Sequence, residues 1–406
     1  MSDWGARAAG HLEALAAFSA EGPGVTRLPY GPHHLAAVDY LTELMQGAGL
    51  AVHLDAAATL VGRAEGGGAG TFYMGSHQDS VPQGGAFDGI AGVVLPVLAM
   101  QKLAEEGVAL PFAVEILAFA DEEGVRFPTA LVGSRAVAGT VDIAVLDMVD
   151  RDGVSLRAAL EGFGCDPEGI PALARERGSA LGYLEAHIEQ GPVLEAEGEA
   201  LGVVTGICGI ERHALRLVGE TGHAGTVPMA ARKDALVGAA RVISEVNRLA
   251  QATPGLRATV GQVDVRPGAV NAVPGEVRMP VELRCEDDTT REEAGEAIAA
   301  FASLVAAEMG LKLEARRTYA QPAAPCDTAL RAALVQAVKA GGGRGMELTS
   351  GATHDASAIA DLCPISMLFV RCRGGVSHRP DEFAAPADLG AGVSAIAETL
   401  RRVADA

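Results

Sequence analysis

Five short segments of the chain concentrate side chains that can bind a cation or move a proton. MGSHQDSVPQGGAFDG carries His77, Asp79 and Asp88, and FADEEGVRF carries Asp121, Glu122 and Glu123. YLEAHIEQGP supplies His187, Glu189 and Gln190, LTSGATHDA supplies His354 and Asp355, and GGVSHRPDE supplies His378. Imidazole and carboxylate without thiolate are the donors of Zn, Mn, Co or Ni rather than of sulfur-seeking ions. Two such ions about 3.5–4 Å apart need one carboxylate that reaches both, and further ligands on each. His77, Asp88, Glu123, His187 and His378 meet that need, with Asp88 as the bridge. Asp79, two residues past His77, is placed to hydrogen-bond the second ring nitrogen and fix the tautomer. Glu122 is then a carboxylate beside the ions, suited to take a proton from water.

Taken singly, each residue has an ordinary structural role. A His after a strand is usually structural, paired glutamates usually face solvent, and an Asp beside glycine usually makes a turn. Those roles do not explain why all of them gather just after strand-like runs. Residues 71–74 and 112–120 read as apolar strands, as do 183–187 and the stretch near 366–370. Helical spacing marks 35–45, 90–103, the stretch from 328, and 389–402. Alternating strands and helices predict an α/β fold with a mainly parallel sheet and helices on both faces. The carboxyl edge of such a sheet is where ligands bind, so distant segments can converge there.

From about Gly209 the texture changes. Residues 211–218 alternate as a half-buried strand, 234–249 form an amphipathic helix, and strands follow at 258–265 and 276–283. Pro280 gives the last of these an edge character. A helix at 290–309 and a strand beginning at 312–316 complete a split βαβ order, which predicts an antiparallel sheet. The expected organisation is one α/β domain, 1–208 and 322–406, interrupted by an inserted α+β domain at 209–321.

The chain has 406 residues, 49% of them hydrophobic, with 52 acids against 32 bases and a formal charge of −20. That balance argues against a polyanionic partner, whether nucleic acid or anionic membrane. No run reaches the ~18 apolar residues of a membrane span, and the N-terminal segment lacks a secretory pattern, so a cytoplasmic protein is expected. The six cysteines form no CxxC pair and read as reduced thiols. Phosphate-binding glycine motifs and the GxSxG elbow are absent from the sequence.

The motifs resemble those of the M20-type metallopeptidase-like amidohydrolases, specifically the hydantoinase/carbamoylase branch. GVTR (24–27), GSHQDSVPQGGAFDG, EEGVRF, HIEQGP, GHAGTVPM, NAVPGEV, SGATHDA and SHRPDE run in family order along nearly the whole chain. The resemblance implies a dinuclear site, with His77, Asp88 and His187 on one metal and Asp88, Glu123 and His378 on the other. It implies Glu122 as general base, Asp79 as the residue orienting His77, and an inserted lid that also makes a homodimer. His223 would reach the active site across the dimer and stabilise the oxyanion, while Asn271 and Arg284 would hold a substrate carboxylate. An arginine fork suits that last task. Gln190, Thr353 and His354 are further expected substrate contacts. His187 is informative, because many M20 peptidases have a carboxylate at that position. The family's SGAGHDA reads SGATHDA, so Thr353 adds bulk beside the substrate.

The implied reaction is hydrolysis of a ureido C–N bond, with an N-carbamoyl-L-amino acid as the expected substrate. Allantoate or another ureide is the alternative. Further from the motifs stand an aminopeptidase or dipeptidase, and a binding protein that kept only the fold.

Overall fold

A computed structural model describes residues 3–68 and 70–405. The chain divides into two compact units, one made of the chain up to Thr205 and from Pro325 on, the other of Gly206–Ala324.

In the first unit the sheet runs in the order Ala51–Leu54, Leu60–Ala64, Ala113–Phe119, Thr71–His77, Ala180–Ile188, Ile365–Val370, Leu201–Ile207. Its four central strands, from Ala113–Phe119 to Ile365–Val370, are parallel. Both flanks are antiparallel. The sheet is therefore mixed, where the alternating texture predicted a mainly parallel one. At one flank the cause is the connection 55–59 between Ala51–Leu54 and Leu60–Ala64. It is too short for a crossover and can only fold the chain back as a hairpin.

The central strands are continuous apolar runs rather than alternating ones. TFYMGSH and AVEILAF are buried at every position, as strands covered on both faces must be. Helices Pro32–Gly47, Ala91–Glu105, Thr328–Ala340 and Pro386–Ala404 occupy the expected helical stretches with slightly longer bounds. They enclose a core that includes Leu41, Met74, Leu95, Ile116, Leu334 and Ile396. The expected strand 71–74 continues to His77, which puts the first candidate ligand on the strand's last residue.

The second unit is a five-stranded antiparallel sheet in the order Asp264–Arg266, Glu276–Cys285, Gly209–Val218, Lys312–Gln321, with Arg257–Thr259 also on Glu276–Cys285. Helices Ala235–Ala252 and Asp288–Met309 share its core, where Val242, Val246, Ile298 and Val305 meet Leu215, Leu217, Val281 and Leu283. The stretch expected as one strand at 258–265 is two short strands. Pro280 is not on an edge strand either. Glu276–Cys285 pairs along its whole length with Gly209–Val218, while its other flank is paired only at 276–278 and 282–284. Pro280 sits in that gap, where a residue without an N–H is tolerated.

Among the described residues no helix is long and apolar enough to cross a membrane. All six cysteines are thiols, five of them buried.

Candidate functional site

Parallel pairing brings the chemistry to one edge. His77 is in register with Phe119, and Asp121, Glu122 and Glu123 follow directly after that strand. On the other side of the His77 strand lies Ala180–Ile188, whose His187 is in register with Phe369. Asp88 lies in the loop before helix Ala91–Glu105, and His378 in the loop after Ile365–Val370. Four segments far apart in sequence thus meet at the carboxyl ends of adjacent strands.

The Asp88 carboxylate is their centre. Its Oδ1 stands 3.1 Å from His187 Nε2 and 3.7 Å from His77 Nε2. Its Oδ2 stands 3.1 Å from His378 Nε2, whose ring is also 3.6 Å from Glu123 Oε1. Ligand atoms of His77, Asp88 and His187 all lie within 4.8 Å of one another, as do those of Asp88, Glu123 and His378, and those of His77, Glu122 and Glu123.

Two rings are held in the tautomer a cation requires. His187 Nδ1 lies 2.9 Å from the carbonyl of Ile188, and His77 Nδ1 lies 3.0 Å from the carbonyl of Asp79. A neutral ring that donates from Nδ1 leaves a lone pair on Nε2, and both Nε2 atoms face Asp88 and its neighbours. Asp88 Oδ1 and Glu123 Oε1 are buried without a hydrogen-bond partner among the described residues. Converging lone pairs and orphaned carboxylate oxygens fit one or more divalent ions.

The backbone is shaped around these groups. Gly89 has φ +64°, and a Cβ there would lie 2.3 Å from the His77 ring. Gln190 and His378 adopt left-handed φ values of +56° and +58°, a strain that costs roughly 1–3 kcal/mol per residue and gathers at functional sites.

Charge and burial shift the titrations. Burial pushes the Glu122 carboxyl well above its ordinary range and raises Glu123 to about 7. Burial also opposes charge on Asp88 and His77. For Asp88 the His187 and His378 rings outweigh it and hold the carboxyl well below its usual value. For His77 the Asp79, Glu122 and Glu123 carboxylates outweigh it and raise the ring well above its usual value. Glu122 Oε2 lies 3.9 Å from His77 Nε2, so a buried carboxyl able to carry a proton stands beside the ligand cluster.

The sequence profile described as "Peptidase family M20/M25/M40" matches residues 73–402. The chain belongs to that family. An N-carbamoyl-L-amino acid amidohydrolase of Geobacillus stearothermophilus is 39% identical over 94% of this chain and 94% of its own length. An allantoate deiminase of Arabidopsis thaliana is 36% identical over 91% of this chain and 77% of its own. The solved structure of an amidase of the hydantoinase/carbamoylase family from Burkholderia multivorans superposes with a TM-score of 0.93 at 33% identity, covering 98% of both chains. This M20 chain is therefore a hydrolase acting on C–N bonds, with a His/Asp/Glu cluster able to hold metal.

Within the M20 chain, several expected contacts look different from their sequence reading. The contact that orients His77 is foremost the Asp79 carbonyl. The Asp79 carboxylate is 3.5 Å from the ring and accepts the backbone N–H groups of Glu122 and Glu123, each at 3.2 Å. Asp79 thus positions the acid pair as well as the ring. Gln190 donates through Nε2 to Asp88 Oδ2 at 2.9 Å, touching the central carboxylate directly. His354 is only 1% exposed. Its ring meets the His187 ring edge-on at 4.6 Å and Nε2 pairs with Ser350 Oγ, so its side chain packs behind the His187 ring. Thr353 is half-buried just before it.

In the second unit, His223 and Asn271 are brought together by a short ladder that pairs His223 with Ala272, and the Ala224 N–H donates to the Asn271 carbonyl. Both side chains are exposed. Gly225 donates its N–H to His223 Nδ1 at 3.0 Å, which in the neutral ring leaves the proton on Nε2. Arg284 lies on Glu276–Cys285 with Nε 2.8 Å from Glu282.

Two residues were missed by sequence reasoning. Ser377 donates to Asp88 Oδ2 at 2.9 Å. Glu382 is 5% exposed and its carboxyl accepts the backbone N–H groups of Phe87 and Asp88. Their one sequence signal is membership of the SHRPDE motif beside His378.

Proposed function

We propose that the chain hydrolyses the ureido C–N bond of an N-carbamoyl-L-amino acid, giving the L-amino acid, CO2 and ammonia. The observation that carries this reading is Asp88, whose two oxygens are divided between the His77/His187 side and the Glu123/His378 side, with Glu122 alongside. Two divalent ions (Zn, Mn, Co or Ni), one on His77, Asp88 and His187 and one on Asp88, Glu123 and His378, would polarise the ureido carbonyl and acidify a water. Glu122 takes that water's proton and passes it to the leaving nitrogen, the work of a carboxyl whose burial favours holding a proton. Asp79 keeps His77 and the Glu122–Glu123 backbone in place.

The second unit acts as lid and dimerisation domain of a cytoplasmic homodimer. His223, with its proton on Nε2, donates to the developing oxyanion, across the dimer as the family resemblance implies. Asn271 and Arg284 hold the substrate carboxylate, Arg284 exchanging its Glu282 partner for it. Gln190 holds the orientation of Asp88 and borders the substrate with Thr353. Such local positive groups let a chain of net charge −20 accept an anionic substrate.

Allantoate is the second reading, favoured by the 36% identity to an allantoate deiminase. The test is ammonia release from a panel of N-carbamoyl-L-amino acids and allantoate, with unblocked dipeptides followed by amino-acid release, under each of the four metals. Turnover of carbamoyl amino acids above the rest is expected. Allantoate alone would move the assignment to the second reading, and dipeptide cleavage without ureido turnover would refute both.

A further inference from the structure

The loop after Ile365–Val370 touches the Asp88 loop twice, and the second contact is made by Glu382, a residue given no role so far. Glu382 Oε1 accepts the backbone N–H groups of Phe87 at 2.9 Å and Asp88 at 3.0 Å, across almost three hundred residues of sequence. The two loops are fitted to this carboxyl. A Cβ on Gly85 would lie 2.0 Å from Glu382 Cδ, so any side chain there would push the carboxyl from its present place. Ser377 and His378 of the same loop reach the Asp88 side chain itself, at Oδ2, at 2.9 and 3.1 Å. One six-residue stretch therefore holds Asp88 by its side chain and by its backbone.

Placing a second buried acid beside Asp88 is costly, because like charges out of water repel. A cation on Asp88 reduces that cost.

We propose that Glu382 is a positioning residue for the metal centre. It fixes the Asp88 backbone so that the two carboxylate oxygens stay aimed at the two ligand groups, and it ties that aim to the placement of His378. The inference rests on the proposed dinuclear reading of Asp88. It acts through Asp88 and does not require contact with substrate.

The test compares Glu382→Ala with Glu382→Gln, which keeps an acceptor oxygen for both N–H groups while removing the charge. Metal-stripped proteins are titrated with Zn or Mn against a chromophoric chelator, and kcat and KM are measured separately on the reloaded enzymes. Glu382→Ala is expected to bind metal about 10–100-fold more weakly and to lose kcat in similar proportion with KM little changed. Glu382→Gln is expected to stay within a few-fold of wild type on both readouts. Should Glu382→Ala not fold, Glu382→Asp, too short to reach both N–H groups, takes its place. Two-metal binding at wild-type affinity in the Ala or Asp variant overturns the proposal, as does equal weakening of Gln and Ala variants. Wild-type protein that took up no metal would overturn the dinuclear reading as well, so the two failures are separable.

Discussion

Gly89→Ala tests whether the His77 ring is held where the chemistry needs it. The new Cβ would lie 2.3–2.4 Å from three ring atoms, against an optimum of ~3.5 Å or more for such contacts. The ring must therefore retreat by about 1 Å. That motion breaks the 3.0 Å contact between His77 Nδ1 and the Asp79 carbonyl, a loss of about 1 kcal/mol. An alanine at φ +64° costs about 1–2 kcal/mol more. Metal-free protein should thus lose about 2–3 kcal/mol of stability in urea denaturation. Gly107→Ala separates the two contributions, since Gly107 has φ +69° and nothing within 4 Å of a Cβ, and it should show only the backbone cost. A ligand displaced by about 1 Å should also lower metal affinity about 10–100-fold and turnover by a comparable factor, which Gly107→Ala should leave unchanged. Equal stability losses in the two variants, with wild-type metal binding in Gly89→Ala, would refute the claim that residue 89 must lack a side chain for the sake of the ring.

Glu122→Gln should retain bound metal, measured by elemental analysis, while kcat falls by ~10²–10⁴; retained turnover would remove Glu122 as the base. Chelation should abolish activity and lower the melting temperature, by an amount equivalent to ~4 kcal/mol where metal had stood at a thousand times its Kd. Re-addition of Zn, Mn, Co and Ni with activity assays shows which ions restore it. His34 supplies a pH-dependent contribution away from the centre. Its ring stacks on Phe163, accepts the Tyr30 N–H at Nδ1, and is lowered to about 3 by burial. The unfolded chain takes up this proton first, so stability is lost as pH falls from the ordinary histidine value toward 3. At pH 4.5 the loss is at most ~2–3 kcal/mol, and a metal-free His34→Gln variant should decline less steeply by that amount in urea titrations at pH 7 and 4.5.

Much of the site was legible because its residues defy the usual placement of polar groups. His77, Asp88, Glu123, His187 and His378 follow apolar runs, and parallel pairing turns that spacing into proximity. What sequence could not carry was orientation. Asp79 stands where expected, yet its carbonyl serves His77 while its carboxylate serves the Glu122–Glu123 backbone, a choice made by loop dihedrals. His354 sits in a motif full of chemistry, but its side chain turns inward onto His187. One antiparallel flank is hard to read from sequence for another reason. Ala51–Leu54 and Leu60–Ala64 are short, and AVHL is half-exposed, so neither run has the length or continuity that marks a strand.

The position of Ile365–Val370 between Ala180–Ile188 and Leu201–Ile207 bears on the order in which the protein can be made. During synthesis both neighbours leave the ribosome some 160 to 180 residues before the strand that separates them. At roughly 5–20 residues per second the nascent chain spends about 10–30 s with one edge of Ala180–Ile188 unpaired and Leu201–Ile207 unattached to the central strands. Over that interval the fold is open to mispairing with other strands, and His378 does not yet exist to meet Asp88. The translation machinery thus sets the earliest moment at which the His/Asp/Glu cluster can be completed, and any chain cut short before residue 365 lacks the strand that joins Leu201–Ile207 to the centre of its main sheet.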